Sequence, residues 1–191
     1  MADPSAYRGQ EMRTMLDRQT SGWIEANAFI FDAVFDDGLK AEVQVNPDFG
    51  SREAAEREVA KYLQVIGKLP TYLRKMMKSV WIRRSALRSG GGNGIFLIHT
   101  NQALEYERSD VLKEILFPDA THTSIDSIYS TMRRWLKAQK KDGAYISYCA
   151  QDKPNVRIWS RVWLPIIRSP TALTGCRKAI LKRSETGSLI P

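Results

Sequence analysis

The chain has 191 residues, 43% of them hydrophobic and 26% charged, which is enough for one globular core and unlike the bias of disordered or fibrous proteins. Its 29 Lys and Arg against 21 Asp and Glu leave a net charge of +8. Nucleic acid or an anionic surface would suit that charge, but the preferred reading is a soluble domain with a basic surface, because no nucleic-acid signature accompanies the clusters at residues 72–78, 83–88 and 133–141. No apolar run approaches the roughly 20 residues that cross a bilayer. Met1 to Ser5 show no basic stretch leading into an apolar one, so no signal peptide is expected in the chain as it stands, and the compartment is the cytoplasm, or outside it if a signal has been removed. Cys149 and Cys176, with only His99 and His122 beside them, cannot furnish a Cys/His structural zinc site. The two thiols form one disulfide in an exported protein or stay separate, and the sequence leaves both open.

In chain order, residues 1–20 are expected to be peripheral or frayed. Residues 26–35 are rich in strand formers, and residues 40–45 alternate polar and apolar. The Asp36-Asp37-Gly38 between them accepts the positive φ of a tight turn, so a hairpin is predicted, ended by Pro47 and Gly50. Ser51 should cap a helix with Ala55, Val59, Tyr62, Leu63 and Ile66 on one face. Pro70 separates it from a short helix near 71–77, and Val80 to Ile82 read as a strand. Gly90 to Gly94 read as a turn. Glycines cradle phosphate when they lead into a helix with Lys-Ser/Thr, whereas these lead into the apolar strand Ile95–His99. Ser109-Asp110 then read as the acidic cap of a helix with Val111, Leu112, Ile115 and Leu116, interrupted at Pro118. Further helical patterns cover about 128–140 and the stretch after Pro154, and residues 184–191 should fray.

The chemistry lies in residues 114–126. A helical His-Glu-x-x-His sets two histidines four apart on one face, so both reach one zinc ion while the glutamate takes a proton from zinc-bound water. The corresponding residues are Pro118, Asp119, Ala120, Thr121 and His122. Around them run, in order, the glycine stretch Gly90 to Asn93, the strand ending Ile98-His99-Thr100, the helix Leu112-Lys113-Glu114-Ile115-Leu116, and Thr123-Ser124-Ile125-Asp126. With the upstream hairpin containing Val43 to Pro47 and the helix after Ser51, this context resembles a family of small zincin-like metallopeptidases over roughly residues 1–165.

The resemblance implies a single α+β domain over 1–191, zincin-like, with a small mixed sheet and an N-terminal hairpin packed against several helices, the degenerate zinc helix among them. It also implies damage. Pro118 replaces the first histidine, and as a proline it should kink or restart the helix. Asp119 keeps the general base on a shorter side chain, and His122 keeps the second ligand. The third ligand, a glutamate in the family, is matched by Arg161. A rearranged metal set of Asp119, His122 and Asp126 is the competing arrangement, set against the reading in which Asp126 caps a helix at Ser127 and His122 is a buried relic. The leading expectation is a pseudoenzyme without cofactor, kept as a module for a peptide or protein ligand or as a decaying gene copy. The alternative is an active metallopeptidase using zinc through the rearranged set, and a basic nucleic-acid-associated domain ranks third. His99 is expected to be structural, and Trp135, Tyr145, Tyr148, Trp159 and Trp163 are expected to face the core.

Overall fold

The hairpin that residues 26–45 predict is the spine of a larger sheet. The computed structural model describes residues 3–125, 129 and 131–142. Strand β2 (Gly22–Val34) pairs antiparallel with β3 (Lys40–Val45), Phe29 opposite Val45 and Val34 opposite Lys40, and Gly38 turns between them at φ 78°. The turn is tied down from outside. Asp37 accepts from Thr71 Oγ1 at 2.8 Å and pairs with the buried Arg74 at 2.8 Å. Those hydrogen bonds, Thr71 first, hold the Asp37 carboxyl below its ordinary range.

On the other side of β2 lies β1 (Asp3–Asp17), a 15-residue strand in the region expected to be peripheral. It occupies the sheet edge, but it pairs along β2 from Val34 to Gly22, with register shifts between Asp3 and Ala6 and between Tyr7 and Gly9.

Strands β4 (Ser79–Arg83) and β6 (Ile95–His99) run parallel to β3, and a parallel neighbour requires a crossover. Helix α1 (Arg52–Gly67) with the short α2 (Thr71–Arg74) supplies it. Ser51 caps α1 as expected, its Oγ accepting from Ala54 N at 3.2 Å. Strand β5 (Gly90–Gly92) closes the order β1-β2-β3-β4-β6-β5, antiparallel to β6. The glycine stretch is therefore a turn only in part. Asn93 and Gly94, at φ 52° and 80°, form the two-residue corner that a tight hairpin needs, and the three glycines before them are strand.

Pleating gives the sheet two faces. Phe31, Val43, Val80 and Phe96 lie in one row that ends at Gly91, under the helices. There they join Val59, Tyr62, Leu63 and Ile66 of α1 in the main core. On the opposite face, Ile30, Trp81 and Leu97 pack with Met15, Ala26 and Ala28.

Two helical boundaries differ from expectation. Helix α3 (Thr100–Arg108) follows β6 directly, and Ser109-Asp110 close it instead of capping the next helix. Asp110 turns left-handed at φ 54°, and Val111 N donates back to Tyr106 O at 2.9 Å. Helix α4 (Leu112–Ser124) starts without a side-chain cap and continues through Pro118 without a break. Helix α5 (Arg133–Asp142) is the described part of the pattern expected near 128–140, and its Trp135 is buried.

Candidate functional site on helix α4

Helix α4 lies against β5, and the fit is set by a missing side chain. A Cβ on Gly91 would overlap the carbonyl oxygen of Asp119 and the hydroxyl of Thr123. Only glycine lets the two backbones approach this closely. The Thr123 hydroxyl reaches the Ile95 carbonyl at 3.0 Å and its own helix at Asp119 O, 2.9 Å. One residue on, Ser124 Oγ donates to the Leu73 carbonyl. Three elements thus hold the carboxyl half of α4: β5, β6 and the segment bearing α2.

The continuity of α4 through Pro118 follows from this support. Proline at the seventh helical position removes the bond to the Glu114 carbonyl and crowds it. The neighbouring turns are held independently, because Leu116, Phe117 and Ala120 are buried and Thr121 Oγ1 donates to Phe117 O at 3.1 Å. The expected restart is absent because packing outweighs the lost bond.

Val111, Ile115, Pro118, Asp119 and His122 are the half-buried positions of the helix, and their spacing puts them on one face. The structure therefore brings Asp119 and His122 together, with Pro118 one turn before His122, where a first histidine would stand to share an ion. Asp126 and Arg161 lie outside the described residues, as do Cys149, Cys176, Tyr145, Tyr148, Trp159 and Trp163. Among the described residues no three His, Cys, Asp or Glu gather as a metal-holding group.

His99 sits elsewhere, at the carboxyl end of β6. It is 1% exposed, with Nδ1 at 2.7 Å from Ser85 Oγ, and its Nε2 has no partner among the described residues. Leu87 N donates to the same Ser85 oxygen at 3.2 Å. Arg83, its register partner on β4, is buried and paired with Asp17 at 3.1 Å. Burial first, then the positive charges of Arg18 and Arg83, lowers the imidazole pKa to about 4, so the ring is neutral at physiological pH. The sequence offers no signal for this cluster, because Asp17, Arg83, Ser85 and His99 meet only through strand pairing.

The basic clusters also change character. Arg74, from the first, is buried against Asp37 and Leu69 O, and Arg83, from the second, is buried against Asp17. Both are internal struts unavailable to a polyanion. The cations of α5, including Arg133, Arg134 and Lys137, are exposed. No helix of the described residues is long and apolar enough to cross a membrane. No protein-family model, no curated protein and no solved structure matches this chain.

Proposed function

We propose that the chain is a zincin-related domain that does not hydrolyse peptides and serves as a module for binding a peptide or protein. The observation that carries this reading is Pro118 on the half-buried face of α4, one turn before His122. A catalytic zinc takes three protein ligands and an open position. Pro118 has no donor atom to give, so the described residues of this face do not fit the ion, and no hydrolytic step is derived through it. The order of elements supports kinship: hairpin, crossover helix, glycine strand, apolar strand ending at His99, then the helix with the altered motif.

Metal analysis of the folded full chain, beside the double variant Pro118→His with Asp119→Glu, tests the reading. The natural chain should carry far less than one zinc per molecule, and the double variant should gain zinc, more so with Arg161→Glu added. Stoichiometric zinc on the natural chain overturns the proposal.

The shared face of Asp119 and His122 favours a second reading, an active metallopeptidase whose third ligand comes from Asp126. It requires that His122→Ala abolish both metal uptake and chelator-sensitive peptide cleavage.

A further inference from the structure

The third basic cluster of the sequence lies on α5 and stays in solvent, unlike the buried Arg74 and Arg83. Trp135, 7% exposed, marks the side by which this helix is held to the domain. Residues three and four apart share a helical face, so Arg133, Lys137 and Lys140 form a row on the side away from Trp135, with Arg134 next to it. All four cations are exposed, and no acidic residue precedes Asp142 at the end of the helix. Among the described residues none of the four is drawn into an ion pair, whereas Arg8, Arg13, Arg74 and Arg83 each hold a carboxylate.

A short apolar row runs beside the cations. Met132 is 45% exposed and Leu136 37%, one turn apart, with Leu136 N donating to Met132 O at 3.0 Å. Tyr129, 41% exposed, stands one turn earlier, its carbonyl accepting from Met132 N at 3.1 Å. Lys140 continues the line of Leu136 by one further turn. Large apolar side chains exposed singly are ordinary. A row of them along unpaired cations is the composition of a helix that lies at a membrane interface.

The apolar row also separates the anionic partners that such cations attract. Nucleic-acid phosphates would satisfy Arg133 and Lys137 but leave Met132 and Leu136 in water, since bases stack on flat aromatic faces and not on aliphatic chains. An acidic protein that encloses a basic helix needs its apolar anchors free, and Trp135 is already packed into the domain. A lipid surface is flat and needs one side only. Its acidic headgroups meet the cations, whose aliphatic stems lie along it, while the apolar row enters the acyl boundary. The net charge of +8 adds attraction of the same sign at longer range.

We propose that α5 is a peripheral docking surface for an anionic membrane leaflet, with Arg133, Arg134, Lys137 and Lys140 on the acidic headgroups and Met132 and Leu136 seated among the outermost acyl carbons. The helix lies along the surface; its 10 residues are far too few to cross it. This surface is separate from the half-buried face of α4 and stands whether or not that helix holds metal.

The test floats the full chain with two kinds of vesicle, phosphatidylcholine alone, and two parts phosphatidylcholine to one part phosphatidylserine. The chain should rise with the second and not with the first. Salt at about 1 M, which shortens the Debye length to about 3 Å, should release most of it. Arg133→Gln with Lys137→Gln should weaken vesicle binding about twentyfold, roughly fivefold for each cation removed. Met132→Ser with Leu136→Ser should weaken it roughly tenfold, through lost apolar insertion. Both pairs change exposed side chains, so circular dichroism and melting temperature should match those of the natural chain. Equal recovery with both kinds of vesicle, or none with either at low salt, overturns the proposal. Unchanged binding by the glutamine pair overturns it as well. Binding lost in the glutamine pair but kept in the serine pair also overturns it, because that pattern belongs to a surface for polyanions in general.

Discussion

Helices α1 and α4 pack on the same face of one sheet and are built on different principles. Helix α1 has a capped start at Ser51 and a stripe of Ala55, Val59, Tyr62, Leu63 and Ile66 at helical spacing, with charged residues on its outer side. Its own sequence specifies where it begins, which side goes in and how long it is. Helix α4 has no side-chain cap, a proline at its middle, and three buried hydroxyl residues, Thr121, Thr123 and Ser124, where a stripe would have aliphatics. It is held by what surrounds it: Gly91, the Ile95 carbonyl and the Leu73 carbonyl. The contrast teaches that local propensity can be overridden where neighbouring backbone supplies the missing bonds.

The sharpest way to break the contrast is Gly91→Ala. The added methyl meets the backbone of α4, which has no side-chain freedom to yield, and the loss should be about 4 kcal/mol or more, at the top of the range for overpacking. Urea unfolding measures it, and hydrogen exchange should show α4 losing protection before α1. A loss below about 1 kcal/mol would mean that the close approach does not hold the helix.

Acid should act next most strongly, through His99 at the end of β6. The imidazole pKa is lowered on folding, so the unfolded chain takes up the proton first. Above the ordinary value of 6.5 the group costs nothing. As pH falls from there towards about 4 the folded state is progressively disfavoured, by on the order of 3 kcal/mol in all. His99→Gln should flatten that part of the stability profile. An unchanged slope between pH 6.5 and 4 would assign the acid sensitivity to the carboxylates instead.

Pro118→Ala restores the donor for the Glu114 carbonyl and should stabilise the chain by about 2 kcal/mol, most of what proline costs in a helix interior. Equal stability would mean that α4 has already relaxed around the ring. The smallest effect belongs to α1. Ser51→Ala removes one cap and should cost about 1 kcal/mol, read as a shift in the denaturation midpoint.

What could be read in advance follows the same division. The β2–β3 hairpin, the Ser51 cap, α1 and the strands at 79–83 and 95–99 carry their signals within a few residues, as period, cap or turn. Strand β1 does not, because Asp3 to Asp17 is largely polar and becomes a strand only by lying against β2. Helix α3 starts at the end of β6 with no capping side chain, and its stop at Asp110 resembles a start signal in one dimension. The glycine stretch was half legible, since Asn93-Gly94 is a hairpin corner by residue type, but the glycines before it are explained by α4 and by the Arg18 guanidinium against Gly90. At the candidate site the placement of Asp119 and His122 on one helical face follows from their spacing. The bond between His99 and Ser85 depends on segments brought together across the fold, which spacing along the chain does not encode.

The Gly91 contact has a consequence for how such a protein changes over time. The position of α4 is fixed from its buried side by Gly91, Thr123 and Ser124 contacts that use the backbone of Asp119 but none of the side chains at 118, 119 and 122. Side-chain substitutions at 118, 119 and 122 therefore leave these anchoring contacts untouched, so the chemistry of that face can change while the support beneath it stays. By the same logic a histidine placed at position 118 would be presented at the height and angle that Pro118 now occupies.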